Sequence, residues 1–180
     1  MMQSVRIVLW LVEGTWQGCV DAVANRLPPE ARVALLYVTP STVSEVADAA
    51  VGGLLGRTLP RLHTSHQFQD VADEAAVAIL AAAARQLGRP DAELLHKRGR
   101  VEREVVLAIA GNVDLLVAAR DGDRSRLGPK SLGPATRFVV DHAPCAVLLV
   151  WPDEPPGIDS IAPPRHDHPS PIGPDPLSRT

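Results

Sequence analysis

The stretch that decides the fold is NVDLLVAARDGDRSRLGPKSLGPATRFVVDHAPCAVLLVWP, residues 112–152. It contains two nearly continuous apolar runs, residues 113–119 and 145–151, of the kind found in strands that are covered on both faces. Between the runs lie a loop rich in glycine and basic residues and then a helical pattern. The repeating positions of that pattern are Leu132, Ala135, Val139 and His142. The stretch therefore predicts a strand, a loop, a helix and a second, parallel strand.

The rest of the chain continues this alternation. Three more apolar runs predict strands, at residues 5–12, 32–38 and 92–96. Three more helical patterns cover residues 16–27, 68–88 and 101–110. The sequence thus predicts an open, doubly wound α/β fold: a five-stranded parallel sheet with helices on both faces. The run at residues 92–96 is the most mixed and indicates a strand near the sheet edge.

The composition sets the domain organisation and the classes of partner. A chain of 180 residues, 46% of them hydrophobic, is expected to fold as one domain over residues 1–152. The proline-rich tail, residues 153–180, is expected to be disordered, and the connection at residues 39–63 to form a short helix or a mobile flap. A net charge of -3 and 3% aromatic residues argue against a nucleic-acid-binding surface.

No segment of the sequence points to a membrane, a metal or a catalytic site. The apolar run at residues 5–12 is shorter than the roughly 20 residues that span a bilayer, so we expect a cytoplasmic protein. Cys19 and Cys145 lack metal or redox spacing and are expected to be buried structural thiols. The H-x-H pair in the tail is too sparse for a metal site. The two histidines of that pair are His166 and His168. The histidines expected at the surface are His63, His66 and His142. We therefore expect no enzyme, with weak ATPase activity as the remaining alternative.

Two strand ends carry groups suited to a ligand. In doubly wound sheets ligands bind at the carboxyl ends of the strands, where the strand order reverses. The first strand ends in VEGT, residues 12–15, where Thr15 suits a helix N-cap and the Glu13 carboxylate suits an adenine amino group or a ribose hydroxyl. The fourth strand leads into a loop whose glycines allow close backbone approach to an anion, although most such loops are solvated turns. Its glycines and cations are Gly122, Gly128, Gly133, Arg120, Arg124, Arg126 and Lys130.

Four stretches resemble the universal stress protein family: HAPCAVLLV at residues 142–150, IVLWLVEGT at 7–15, VALLYV at 33–38 and GRVEREVVLAIAGNVDLLV at 99–117. The resemblance covers residues 5–152. It implies a five-stranded, Rossmann-like α/β domain and a stress-response regulator that is usually a homodimer paired through the last strand, here residues 145–151. One branch of the family binds ATP through the pattern G-x2-G-x9-G-[ST], with an acid after the first strand and a valine ending the second. Another branch lacks the pattern and does not bind ATP.

This sequence falls between the two branches. Gly122 and Gly133 match the second and third glycines, but Ala119 replaces the first and ten residues rather than nine separate the two that match. Pro134 replaces the final Ser/Thr and removes an N–H donor. The resemblance implies a degenerate site for ATP with Mg²⁺, and the alternative is a dimeric interaction protein without nucleotide. The implied site residues are Glu13, Val38, Ala119, Gly122, Gly133, Ala135 and Thr136.

Overall fold

Five short strands form one parallel sheet in the computed structural model, which describes residues 4–41 and 62–162. The strands are β1 (Arg6–Leu11), β2 (Arg32–Pro40), β3 (Glu93–Gly99), β4 (Leu115–Ala119) and β5 (Ala146–Val150). Their order in the sheet is β3-β2-β1-β4-β5, and each neighbouring pair is parallel. This arrangement confirms the predicted five-stranded parallel sheet, with β3 at one edge as its mixed sequence indicated.

Four helices connect the strands in the described part of the chain. They are α1 (Trp16–Val23), α2 (Leu62–Leu87), α3 (Val101–Ile109) and α4 (Pro134–His142). Helix α1 is shorter than the predicted 16–27, because the chain leaves the helix in a turn in which the Arg26 and Leu27 amides both bond the Val23 carbonyl. Pro28 and Pro29 follow directly, and a proline disfavours helical backbone in the residue before it. Short 3-10 turns lie at Pro129–Ser131 and Ile158–Ser160.

The helices cover both faces of the sheet, as predicted. One core lies beneath α1 and α2 and contains Leu9, Leu35 and Leu80. The other lies beneath α3 and α4 and contains Trp10 and Val105. Alternate residues of β1 enter the two cores, so the central strand is buried on both sides and reads as a continuous apolar run. The sheet therefore hides its faces and leaves its carboxyl edge as the surface on which loops carry function.

The chain beyond β5 keeps contact with the domain over residues 153–162, the first part of the predicted tail. The Asp153 carboxylate pairs with Arg124. The Ser160 hydroxyl accepts the Leu127 amide at 3.0 Å. Residues 163–180, and 42–61 of the predicted flap, lie outside the described residues. In the described part of the chain, no helix combines the length and the hydropathy that a membrane span requires.

Candidate functional site at the β1–β4 switch point

The strand order reverses between β1 and β4. From β1 the chain moves outward to β2 and β3, and then returns to place β4 on the other side of β1. The carboxyl ends of β1 and β4 therefore open a crevice between the turn at residues 12–15 and the loop at residues 120–133. The sequence prediction placed its candidate residues on this turn and this loop, with Val38 on the neighbouring β2.

The turn after β1 presents the Glu13 carboxylate at the surface. Gly14 has a φ of +78°, a left-handed conformation that suits glycine, and Glu13 beside it is exposed. Thr15 stands at the N-cap position, but its hydroxyl donates to the Val12 carbonyl at 3.3 Å rather than capping the helix. Burial and, secondarily, the Glu13 charge raise the pKa of Tyr37 on β2. Glu13 thus lies near enough to β2 for its charge to act on Tyr37.

Val38 and Ala119 lie in the two cores rather than at the surface of the crevice. Val38 is 6% exposed and packs in the core beneath α3 and α4. Ala119 is 3% exposed and packs in the core beneath α1 and α2. A ligand at the strand ends would therefore meet the backbone of these two residues and not their side chains.

The loop after β4 closes on itself at Gly122. The Gly122 amide donates to the Ser131 carbonyl at 3.0 Å, and the Asp123 amide donates to the Lys130 carbonyl at 2.8 Å. A Cβ on Gly122 would stand 2.8 Å from the carbonyl carbon of Leu132. Glycine is thus required here by the packing of the loop, and the Gly122 amide already has an acceptor within the chain.

A carboxylate of the same loop occupies the start of α4. The Gly133 amide donates to Asp121 Oδ1 at 2.8 Å, and a Cβ on Gly133 would stand 2.9 Å from Asp121 Oδ2. The N-terminus of a helix attracts anions through its free N–H groups and its dipole. Pro134, at the first position of α4, supplies no N–H. Asp121 is therefore a candidate site residue that sequence reasoning missed, because nothing in the local sequence ties it to Gly133.

Two buried polar atoms at the ends of the same loop have no partner among the described residues. They are Arg120 Nε, directly after β4, and Thr136 Oγ1, in the first turn of α4. The Arg120 guanidinium otherwise bonds the buried Ser131 hydroxyl and lies 4.9 Å from the centre of the Trp151 ring. An unmet buried polar group costs about 1–3 kcal/mol, and such groups are common where water or a ligand completes a site.

Most cations of the loop are engaged within the chain. Arg124 pairs with Asp153, and Arg126 pairs with Asp123 at 2.9 Å. Lys130 is exposed and has no ion-pair partner in the described part of the chain. Lys130 is therefore the loop cation that is most available to a phosphate.

A second polar cluster lies at the carboxyl ends of β2 and β3, beneath α2. Thr39 Oγ1 and His96 Nε2 are 2.9 Å apart, and Asp73 Oδ1 lies 3.7 Å from the same nitrogen. Arg98 completes the cluster through an ion pair with Asp73. Burial lowers the pKa of His96. Because the hydroxyl and the carboxylate meet the same ring nitrogen, the cluster does not have the geometry of a nucleophile–base–acid triad.

The cysteines and histidines offer no metal centre in the described residues. Cys19 is buried and Cys145 is partly buried, and both are free thiols. Burial raises the pKa of Cys19 to about 12. No group of three or more His, Cys, Asp or Glu in the described ranges is placed to hold a metal ion. The side chains of His63 and His66, and all of His166 and His168, lie outside the described residues.

Solved structures with the same fold include universal stress proteins and a hypothetical protein. The hypothetical protein MJ0577 matches with a TM-score of 0.60 at 16% identity, over 82% of this chain and 95% of that chain. UspA from Lactobacillus plantarum matches with a TM-score of 0.52 at 18% identity, over 83% and 99%. A universal stress protein in complex with cAMP matches with a TM-score of 0.52 at 16% identity, over 83% and 98%. At these identities the matches show the fold.

The sequence comparisons give the family. None of the curated proteins matches the chain. The sequence model of the universal stress protein family, in contrast, matches residues 19–150, which include four of the five strands, most of α1, the other three described helices and the whole β4–α4 loop. The chain therefore belongs to the universal stress protein family.

Proposed function

We propose that this universal stress protein is a stress-response regulator that binds an adenine nucleotide at the β1–β4 switch point. The observation that carries the proposal is the pair of unmet buried polar atoms, Arg120 Nε and Thr136 Oγ1, at the two ends of the loop that borders the crevice. A related fold that is solved in complex with cAMP supports adenine as the base. Both atoms belong to residues that flank the loop beside the crevice, and buried polar groups of this kind are commonly completed by water or a ligand.

The chain's residues divide between the two ends of such a ligand. At the nucleoside end, the exposed Glu13 carboxylate accepts a hydrogen bond from the adenine amino group or a ribose hydroxyl, and the backbone at Val38 borders the base. At the phosphate end, Lys130 supplies charge and the amides of Ala135 and Thr136, in the first turn of α4, supply donors. ATP with Mg²⁺ is the form of the ligand that the family resemblance implies.

The proposal is a binding function rather than catalysis. Compared with the family's ATP-binding pattern, Pro134 removes one or two charge-assisted phosphate contacts, a loss of about 2–4 kcal/mol or roughly 30- to 1000-fold in affinity. Weak binding of this order fits a sensor of a ligand that is abundant in cells. Release of phosphate from ATP that depends on Glu13 would instead establish an ATPase.

A titration followed by ¹⁵N NMR tests the proposal. Adenosine, AMP and ATP–Mg²⁺ are each expected to shift the amide signals of Glu13, Gly14 and Val38, and guanosine is not. Glu13→Gln should weaken adenosine binding, because the amide replaces one carboxylate oxygen with a donor. Glu30→Gln is the matched control, since Glu30 is an exposed acid that lines a cavity at the opposite edge of the sheet. Absence of shifts at millimolar adenine ligand would overturn the proposal.

The competing function is an interaction protein that keeps the fold without a nucleotide. It is favoured by the internal use of the Gly122, Asp123 and Gly133 amides, whose acceptors all lie within the same loop. The NMR titration separates the two functions. A chain that shows no shifts with any adenine compound supports the interaction protein.

We also propose that the chain forms a homodimer through β5. This edge strand leaves Leu148 40% exposed and Ala146 exposed, and an apolar edge is usually covered. Leu148→Lys is expected to convert the dimer to a monomer in sedimentation equilibrium. Leu107→Lys is the matched control, because Leu107 is an exposed leucine on α3. A wild-type monomer at every concentration would contradict this pairing.

A further inference from the structure

We propose that Asp121 is a specificity-determining residue of the switch-point site, whose carboxylate stands in for a phosphate oxygen at the start of α4. The inference rests on the proposed function, because it concerns which adenine ligand the site accepts. It predicts that the site prefers adenosine or AMP to ATP.

The first support is the geometry at Gly133. Asp121 Oδ1 lies 2.8 Å from the Gly133 nitrogen and accepts its hydrogen bond. The partly buried Asp121 also fills the space that a Gly133 side chain would occupy, since Oδ1 and Oδ2 stand 3.0 and 2.9 Å from a Cβ built there. A phosphate oxygen on the same amide would need to displace this carboxylate. Bound beside it, the phosphate would meet a like charge at a few ångströms.

The second support is the charge balance around Asp121. Among the described residues, no cation forms an ion pair with this carboxylate, whereas Arg124 and Arg126 pair with Asp153 and Asp123. The negative charge of Asp121 is therefore held by the start of α4 alone and remains uncompensated toward an incoming phosphate. A triphosphate suffers most from it, a monophosphate less and a nucleoside not at all.

The third support is that polar groups near the switch point remain unmet although Asp121 occupies the start of α4. Thr136, in the first turn of α4, is 1% exposed. Its buried Oγ1 has no hydrogen-bond partner among the described residues. Arg120 Nε, at the other end of the loop, is likewise without a partner there. The loop thus satisfies its phosphate position internally and leaves other polar groups unmet, as expected of a site whose ligand carries few phosphates.

Calorimetric titrations with adenosine, AMP and ATP–Mg²⁺ test the inference on three forms of the full chain: wild type, Asp121→Asn and Asp123→Asn. Asparagine at position 121 keeps an oxygen that accepts the Gly133 amide and removes only the charge. Asp123→Asn is the matched control, because it removes the same charge from the same loop at an acid that pairs with Arg126. Low ionic strength keeps the charge effect unscreened.

The expected result is a change in the ratio of ATP to adenosine affinity. Asp121→Asn should raise this ratio about tenfold or more, with adenosine affinity within about twofold of wild type, while Asp123→Asn raises it less than about threefold. An unchanged ratio in Asp121→Asn, or an equal rise in both variants, overturns the inference and leaves the proposed function standing. Absence of binding by all three ligands overturns the proposed function, and the inference with it.

A second measurement on the wild-type chain keeps the inference testable if Asp121→Asn does not fold. The ¹H–¹⁵N signal of the Gly133 amide should keep its position on saturation with AMP, because Asp121 retains that hydrogen bond, while the Thr136 amide signal moves. A large shift of the Gly133 signal, in the direction of a bond to phosphate, overturns the inference.

Discussion

Replacing Gly18 with alanine sets two effects of known size against each other. Gly18 lies in the first turn of α1, and alanine in place of glycine stabilises an ordinary helix by about 0.5–1 kcal/mol. A Cβ on Gly18 would overlap the backbone of Pro152, with the Pro152 carbonyl carbon and Cα both 2.5 Å away. Overpacking of this kind costs about 1–3 kcal/mol, so the packing term wins. We expect Gly18→Ala to lower the free energy of unfolding by about 1–2 kcal/mol.

The alternative response is that the chain beyond β5 moves away from α1. That movement would break the Arg124–Asp153 ion pair, worth about 0–1 kcal/mol at the surface, and the hydrogen bond from the Leu127 amide to Ser160, worth about 1 kcal/mol. The loss is of similar size either way. Hydrogen exchange at the Leu127 amide distinguishes the two responses, because that amide becomes unprotected only if the segment leaves.

Thermal denaturation measures the effect. For a chain of 180 residues, a loss of about 1–2 kcal/mol lowers Tm by about 2–8 °C. Gly111→Ala is the matched control, since no atom lies within 4 Å of a Cβ built there, and its effect should stay within about 0.5 kcal/mol. A Tm for Gly18→Ala equal to or above that of wild type would show that the Pro152 backbone does not pack against Gly18.

Three further predictions follow from packing and burial. Gly122→Ala should lower Tm by about 2–8 °C relative to Gly111→Ala in the same thermal scan. The reason is that a Cβ at position 122 would press on the Ser131 and Leu132 carbonyl groups. Equal Tm values for the two variants would contradict the packing of the loop against residue 122. Iodoacetamide at pH about 8.5 should alkylate Cys145 well before Cys19. Burial raises the pKa of both thiols, but Cys19 is fully enclosed. Mass spectrometry that finds Cys19 modified first would contradict this order. The pKa of His96 is lowered in the folded chain. Its contribution to the free energy of unfolding is therefore complete above the unfolded pKa of about 6.5 and declines as pH falls below that value. The urea midpoints at about pH 7.5 and pH 5.5 should differ less in His96→Gln than in wild type, and an identical pH dependence of the two proteins would exclude this role.

The fold was predictable because burial on both faces leaves a direct trace in sequence. The continuous apolar runs at residues 5–12 and 113–119 became the two central strands, β1 and β4. The less regular run at 92–96 became an edge strand, since one side of β3 has no neighbour to shield it. The apolar run at 145–151 became the other edge strand, β5, so an apolar run predicts a strand but does not by itself place that strand in the centre of the sheet.

The arrangement of the site was less predictable because it depends on contacts between distant residues. Nothing in the local sequence shows that the Asp121 carboxylate bonds the amide of Gly133, twelve positions away. The same holds for the tail at residues 153–180, where proline-rich composition predicts disorder but Asp153 pairs with Arg124 and Ser160 bonds Leu127. Glycines that sequence reasoning assigned to ligand approach proved to be required by these internal contacts.

The central claim is that the β1–β4 switch point holds an adenine ligand while Asp121 keeps the start of α4. A crystal structure of the full chain grown with AMP tests both parts at once. We expect electron density for the base beside Glu13 and the end of β2. The Asp121 carboxylate should still lie within hydrogen-bonding distance of the Gly133 nitrogen. An empty crevice at saturating AMP, or a phosphate on the Gly133 amide with Asp121 displaced, would contradict it.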